Sequence, residues 1–178
     1  ISSQMKITFY EKKDYIETAK GTRIARNCVL KVPRNVHISG KTILRDEVSI
    51  RGDRGAKIEL GRYVYLSEKS ELDPTEEATP MKIGSSLFVG RNTKILGAKY
   101  VGTNVHIGHE VKVGQGCVIK DNVIIKDGSV LAPNTLVPPF SMYGGKPARF
   151  ISELPLSVAQ LFAERSRERY RKFKVREV

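Results

Sequence analysis

The chain has 178 residues, a length that suits one domain. Its 31 Lys and Arg residues outnumber its 19 Asp and Glu residues, and the net charge of +12 raises nucleic acid, an anionic membrane and an acidic protein as partner classes. The sequence has no long basic run, no aromatic platform for base stacking and no apolar stretch near about 18 residues, so we expect neither nucleic-acid binding nor membrane insertion. A solvated basic surface is the first interpretation, and an acidic protein partner is the second. Two cysteines, Cys28 and Cys117, are too few for a disulfide framework and favour an intracellular protein.

An N-terminal segment, residues 1–23, precedes a repeat that we predict to occupy residues 24–143. Within that range, aliphatic residues recur every six positions, and interruptions predict loops near residues 52–57 and 73–81. The upstream members are Val32, Ile38, Leu44 and Ile50, then Leu60, Leu66 and Leu72, with Ile24 and Leu30 suggesting one further, irregular turn. The repeat is most regular downstream, where its members are Ile83, Val89, Ile95, Val101, Ile107, Val113, Ile119, Ile125, Leu131 and Val137.

A step of six excludes an α-helix, whose apolar positions recur about every 3.6 residues. The step fits a short strand followed by a turn, because residues two apart on a strand share a face. The residue two positions before each aliphatic then also points inward, and Cys117 is expected there as a small buried side chain. Three such strands form one triangular coil, so the sequence predicts an all-β fold, a parallel β-helix of about six coils. Its left-handed sense is expected from resemblance to known hexapeptide-repeat proteins, since spacing alone does not fix it.

Residues 144–178 are predicted to leave the β-helix and to form one α-helix. Gly144, Gly145 and Pro147 interrupt the repeat. Ser157 and Gln160 have the spacing of a capping box at the start of a helix over residues 157–174. We expect this helix to pack along the β-helix through an apolar stripe. The stripe consists of Val158, Leu161, Phe162, Tyr170 and Phe173.

The outward residues that directly precede the inward aliphatics sort onto three faces. The first face, which is apolar along its length, carries Ile43, Tyr65, Phe88, His106, Ile124 and Met142. The second face, which is apolar only toward the C-terminal coils, carries His37, Glu59, Lys82, Tyr100, Val118 and Leu136. The third face, which is mostly polar, carries Lys31, Ser49, Glu71, Lys94, Lys112 and Val130.

Apolar strips of this size usually mark interfaces. We predict that the terminal helix covers one apolar face and that a partner protein covers the other, with the six residues of the first face as the candidate partner-binding residues. The alternative is that the helix covers the apolar residues of both faces.

Two short segments resemble the gamma-class carbonic anhydrases, which bind zinc through three histidines. These segments are Arg51–Asp53 and Ile107–His109. The family's second ligand lies five residues after that histidine, where this chain has Gly114, and no histidine occurs between His37 and His106. A catalytic zinc needs three protein ligands and an open position. We therefore predict no metal site, and His106 and His109 are interpreted as surface histidines.

Gly145–Arg149 resembles the exit motif of the hexapeptide acyltransferases, which other β-helical proteins share. The loop at residues 73–81 contains no histidine that would serve as a general base. We therefore predict no catalytic residue and no cofactor. Arg51 and Asp53 are interpreted as a structural ion pair.

Most of the chain resembles the dynactin subunit 5 family, the larger β-helical subunits of the dynactin pointed-end complex. The resemblance lies in Tyr15–Ala19 with Gly21, in Gly40–Ile43 and Ile50–Asp53, and in Leu136–Phe140 followed by Glu153–Pro155. The chain departs from the family in its acidic loop at residues 73–81 and in Lys146–Arg149.

This resemblance implies a non-enzymatic structural subunit. The partners it implies are dynactin subunit 6, which is a second β-helical chain, the actin-related pointed-end protein, subunit 4 and dynein cargo adaptors. It also implies a cytoplasmic, cytoskeleton-associated location and a part in microtubule-based transport. The alternative is a hexapeptide-repeat enzyme, either carbonic anhydrase-like or an acyltransferase.

Overall fold

Short strands and tight turns wind residues 23–145 into a triangular prism. A computed structural model of the chain, which describes residues 4–177, has three parallel sheets, and a single α-helix follows them. Two of the sheets contain six strands each, one strand for each coil. The prediction of a left-handed parallel β-helix of about six coils with a C-terminal helix is confirmed.

Sheet I has nine strands, and its outer surface is the first face. Its order is β2-β3-β6-β9-β12-β15-β18-β21-β22, with the outermost strand at each end antiparallel to its neighbour. The strands are β2 Tyr15–Glu17, β3 Arg23–Ala25, β6 Ile43–Leu44, β9 Val64–Leu66, β12 Leu87–Val89, β15 Val105–Ile107, β18 Val123–Ile125, β21 Ser141–Gly145 and β22 Ala148–Glu153.

Sheets II and III form the second and third faces. Sheet II contains β5 Val36–Gly40, β8 Ile58–Arg62, β11 Met81–Ile83, β14 Tyr100–Val101, β17 Val118–Ile119 and β20 Leu136–Val137. Sheet III contains β4 Val29–Lys31, β7 Ser49–Arg51, β10 Glu71–Asp73, β13 Lys94–Leu96, β16 Lys112–Val113 and β19 Val130–Leu131.

The ladder registers confirm the three faces, with one exception in the first coil. Val29 pairs with Ser49, whereas Lys31 pairs with Arg51. The outward position that the sequence analysis gave to Lys31 is therefore occupied by Val29. The inward residue is accordingly Leu30 rather than Val32, whose backbone is left-handed with φ of 49°. The step of six fails here because a short 3-10 turn, Pro33–Asn35, is inserted between β4 and β5.

Aliphatic side chains fill the prism from the second coil to the last, and Cys117 lies among them with no exposed surface. The glycines that follow the inward aliphatics allow neighbouring coils to lie close together. A Cβ on Gly90 would lie 2.4 Å from the backbone of Gly108 in the next coil, and φ at Gly90 is not positive. Glycine is therefore needed here for close approach between coils, while left-handed corner positions are taken mainly by other residues, such as Asn104 and Asn122.

After the last coil, β21 and β22 form an antiparallel hairpin, and α1 Val158–Arg171 follows. The capping box is wrong, because Ser157 has helical backbone angles and makes no side-chain cap hydrogen bond. The chain then forms β23 Phe173–Val175, which pairs in parallel with β1 Thr8–Tyr10. This pairing ties both terminal segments together, and the repeat carries no signal for it.

Candidate partner-binding surfaces

The first face carries a continuous stack of rings. Parallel pairing places Tyr65, Phe88 and His106 side by side on successive coils. The rings of Tyr65 and Phe88 are nearly parallel with centroids 5.7 Å apart, and those of Phe88 and His106 are 4.8 Å apart. Since each strand is fixed by its ladder, the stack is a rigid, flat aromatic surface.

Helix α1 lies on this stack and covers it with cations. The Arg169 guanidinium lies 4.7 Å from the centroid of Phe88 and 5.7 Å from that of Tyr65. Phe162 and Arg165 join it around a small cavity of about 80 Å³ that reaches His106. Within residues 4–177, no carboxylate forms an ion pair with Arg169, so the rings are its main electrostatic partners. Burial lowers the pKa of Arg169 to about 10.

Arg45 connects the stack to the terminal strands. It forms an ion pair with Glu68 at 2.9 Å and hydrogen bonds to the hydroxyls of Tyr65 and Tyr15. Its guanidinium also lies 5.1 Å from the ring of Phe173 in β23. Burial raises the pKa of Tyr65, and the Arg45 charge opposes that shift. These contacts fix β23, which follows α1, against the N-terminal coils.

Of the six residues that were predicted to bind a partner, some are covered by the chain itself and others remain accessible. Ile43 is only 1% exposed, and Tyr65, Phe88 and His106 lie beneath α1 or its Arg169. The expectation that a partner covers the whole first face therefore needs correction, because the chain covers much of it with its own helix. Partner contact stays a prediction, and on this face it is open mainly to Ile124 and Met142, which are half-buried.

No helix among residues 4–177 covers the second face in this way. Its N-terminal part is polar, and its C-terminal part presents Tyr100, Val118 and Leu136 in register on neighbouring strands. Leu136 is 58% exposed, while Tyr100 and Val118 are half-buried. A strip of this kind on a rigid ladder is suited to bind another protein surface.

The two histidines that resembled zinc ligands have separate environments. His106 is half-buried beneath the helix, and desolvation together with the Arg169 charge lowers its pKa to about 4. It is therefore not a free surface histidine. His109 accepts a hydrogen bond at Nδ1 from the amide of Arg91, at 2.8 Å. In the part of the chain that the structure describes, no group of three or more His, Cys, Asp and Glu side chains is placed to hold a metal ion.

Arg51 and Asp53 form a two-point ion pair, with hydrogen bonds of 2.9 and 3.0 Å. The hydrogen bond from Arg51 lowers the pKa of Asp53 to about 2. Arg54 makes a similar pair with Asp73 at 3.0 and 3.1 Å, and Asp73 accepts from the amide of Thr75. The two predicted loops are thus tied to each other. Arg51 and Asp53 pair with each other, and their structural role stays a prediction.

Arg45 and Arg169 make the central contacts of the first face, and sequence reasoning missed both. The sequence contained a signal for Arg169. Successive steps of four, three and four residues lead from Val158 through Phe162 and Arg165 to Arg169. Residues at those spacings share one helix face. An arginine on the apolar side of the helix would have predicted a contact between its cation and aromatic rings.

No helix among residues 4–177 is long and apolar enough to cross a bilayer.

Solved structures share the architecture of this chain at low sequence identity. A hexapeptide transferase family protein from Anaplasma phagocytophilum superimposes with a TM-score of 0.60 at 18% identity, covering 81% of this chain and 89% of that one. A mutant of AntD, an N-acyltransferase from Bacillus cereus in complex with dTDP and coenzyme A, has a TM-score of 0.63 at 17% identity, covering 92% of this chain and all of that one. Likeness at this identity is evidence for the fold alone.

Sequence comparison is more specific. The family model for dynactin subunit 5 matches residues 4–177. A curated dynactin subunit 5 from Dictyostelium discoideum is 37% identical over 177 residues, which is 96% of this chain and 88% of that protein. Together with the repeat, the hairpin exit and the terminal helix, these matches show that the chain belongs to the dynactin subunit 5 family.

Proposed function

We propose that the chain is a non-enzymatic structural subunit of the dynactin pointed-end complex. In this role it contributes to the binding of dynein cargo adaptors and to microtubule-based transport, in the cytoplasm and in association with the cytoskeleton. Family membership supports the assignment to dynactin. The observation that carries a docking role is the uncovered apolar strip of the second face, with Leu136 58% exposed.

The second face is proposed to bind the second β-helical chain, dynactin subunit 6. Tyr100, Val118 and Leu136 are held by parallel ladders, so little conformational entropy is lost when a partner covers them. A rigid sheet surface is complementary to another flat sheet surface of the same kind. The actin-related pointed-end protein, subunit 4 and the adaptors are proposed to contact other parts of the chain.

The enzyme alternative finds little support in the histidines. A general base must reach its substrate, whereas His106 is half-buried, shares its cavity with Phe162, Arg165 and Arg169, and has a lowered pKa. His109 uses one ring nitrogen to accept from the Arg91 amide. Purified chain is expected to contain no stoichiometric zinc, to show no CO2 hydration and to transfer no acetyl group from acetyl-CoA. Stoichiometric zinc together with hydration activity would replace the structural proposal with the anhydrase.

Co-expression with dynactin subunit 6, followed by size-exclusion chromatography, tests the docking role. The wild-type chain is expected to co-elute with subunit 6, and Leu136→Glu is expected to elute alone at an unchanged monomer volume. The matched control is Val130→Glu, which places the same charge on the third face, one strand before Leu136. The proposal fails if wild type never co-elutes, if Leu136→Glu still co-elutes, or if Val130→Glu disrupts the complex equally.

A further inference from the structure

The two ends of the β-helix differ in how completely their inward side chains are buried. At the C-terminal end, the inward side chains of Leu131 and Val137 are at most 1% exposed, and the β21–β22 hairpin continues beyond the last coil. At the N-terminal end, the inward side chains of the first coil are only half-buried, although the equivalent residues of the second coil are at most 2% exposed. The half-buried residues are Ile24, Leu30 and Ile38.

These three side chains open into an apolar cavity of about 360 Å³ at the end of the prism. Pro33, Val36 and Ala19 complete much of its lining. Val29 and Ile16, which lie on strands of the same end, are each 46% exposed. A solenoid normally covers its terminal coil with a polar cap, so a core that residues 4–177 leave uncovered at one end indicates a partner-binding surface.

Two strands at this end have unpaired edges within the described chain. In sheet III, β4 pairs only with β7, and in sheet II, β5 pairs only with β8. The amide of Val29 donates to the carbonyl of Val48 in the coil above. Since successive residues of a parallel strand direct their polar groups to opposite edges, the amide and carbonyl of Leu30 point away from the β-helix. Sheet I differs, because β2 covers the edge of β3.

The positive charges around the apolar cavity indicate which kind of partner would bind there. Lys20 lines the cavity, and Lys31 and Arg34 are exposed beside it. None of the lining residues is acidic. A second copy of this chain would bring like charges together at this end, which is unfavourable. A segment that carries carboxylates would instead pair with all three cations.

We propose that the N-terminal end of the β-helix binds an extended, acidic segment of another protein by strand addition. The segment adds to the outer edge of β4, places its inward apolar side chains in the cavity lined by Ile24, Leu30 and Ile38, and directs its carboxylates to Lys20, Lys31 and Arg34. Backbone pairing supplies affinity, and the cavity and the cations supply specificity. This site lies on a different surface from the second face and does not depend on docking there.

A model peptide tests the site directly. The probe is a fluorescein-labelled peptide of seven alternating valines and threonines with two glutamates at each end, measured by fluorescence anisotropy with the full chain. Saturable binding is expected, and the double charge reversal Lys20→Glu with Arg34→Glu is expected to weaken it at least tenfold. The matched control is Lys94→Glu with Lys112→Glu, which makes the same charge change on the third face and is expected to leave the affinity unchanged.

Two further peptides separate strand addition from plain charge attraction. A peptide with proline at its central position keeps the charge but cannot complete the ladder, and it is expected to bind at least tenfold more weakly. A peptide with lysines in place of the glutamates is expected not to bind. Equal binding of either peptide, or equal loss in the control variant, overturns the proposal, as does the absence of saturable binding.

Variants distinguish this site from the second face and from self-association. Val29→Glu is expected to weaken peptide binding, whereas Leu136→Glu is expected to have no effect, so failure here is separable from failure of docking to subunit 6. Sedimentation of the isolated chain is expected to give a monomer. A dimer that Val29→Glu dissociates would mean that the end binds a second copy, and the proposed acidic partner would be wrong.

Discussion

The first and second faces both carry apolar outward residues, yet residues 4–177 place a helix over only the first of them. The first face has rings at three successive coils, and α1 places the guanidinium of Arg169 over two of them. The second face has one ring, Tyr100, followed by Val118 and Leu136, and Leu136 remains 58% exposed. The comparison teaches that apolar content alone does not determine which face a basic helix covers. A basic helix is matched to aromatic rings, which attract cations as well as apolar surface.

Removing the central ring of the first face should produce the largest effect. Phe88→Ala deletes the contacts of Phe88 with Tyr65, His106 and Arg169 together, and we expect the free energy of unfolding to fall by about 3 kcal/mol. Urea denaturation monitored by circular dichroism measures it. Lys94→Ala on the exposed third face is the control and should change the free energy of unfolding by less than about 0.5 kcal/mol. Similar losses for both variants would mean that the ring stack does not anchor the helix.

Acid should weaken the covered face through His106. Its pKa is about 4 in the folded chain and 6.5 as an unperturbed group, so the unfolded state binds more protons between these values and stability falls as pH is lowered. Arg165, Arg169 and His109 oppose protonation in the fold, and Asp127 favours it. Between pH 6.5 and about pH 5 we expect a loss of about 2 kcal/mol that is absent in His106→Gln. Urea midpoints across this range measure the loss.

The control for this pH dependence is His37→Gln, because His37 is exposed on the second face. That variant should keep the wild-type pH dependence between pH 6.5 and about pH 5. Identical profiles for wild type and His106→Gln would show that His106 is solvated and that α1 does not seal the first face in solution.

The repeat made the prism predictable, because a step of six with inward aliphatics has few other solutions. The same step predicted which outward residues share a face. That prediction was wrong only at Lys31, where the insertion of Pro33–Asn35 shifts the register. The choice of face for α1 did not follow, since it depends on long-range contacts of Arg45 and Arg169 with rings from other coils. The pairing of β1 with β23 was also missed, because two short strands at opposite ends of the chain leave no local periodicity.

The cation on the ring stack should contribute less than the rings themselves. Arg169→Met keeps an apolar stem over Phe88 and removes the charge, and we expect a loss of about 1 kcal/mol in the free energy of unfolding. Thermal melting measures it, with Arg167→Met on the exposed side of α1 as the matched control. A rise in stability would mean that the cost of burying Arg169 exceeds its attraction to the rings.

The smallest effect is expected on the uncovered face. Leu136→Ala removes a side chain that touches mainly solvent, so the melting temperature of the isolated chain should change by no more than the equivalent of about 0.5 kcal/mol. With subunit 6 present at about 100 times its dissociation constant, the wild-type chain should gain about 2.7 kcal/mol from binding, because a ligand that binds only the folded state stabilises it. The variant should gain less, because its contact area on the second face is smaller. Equal stabilisation of both chains by subunit 6 would move the docking surface away from Leu136, and a large loss in the isolated variant would mean that its own chain already covers this face.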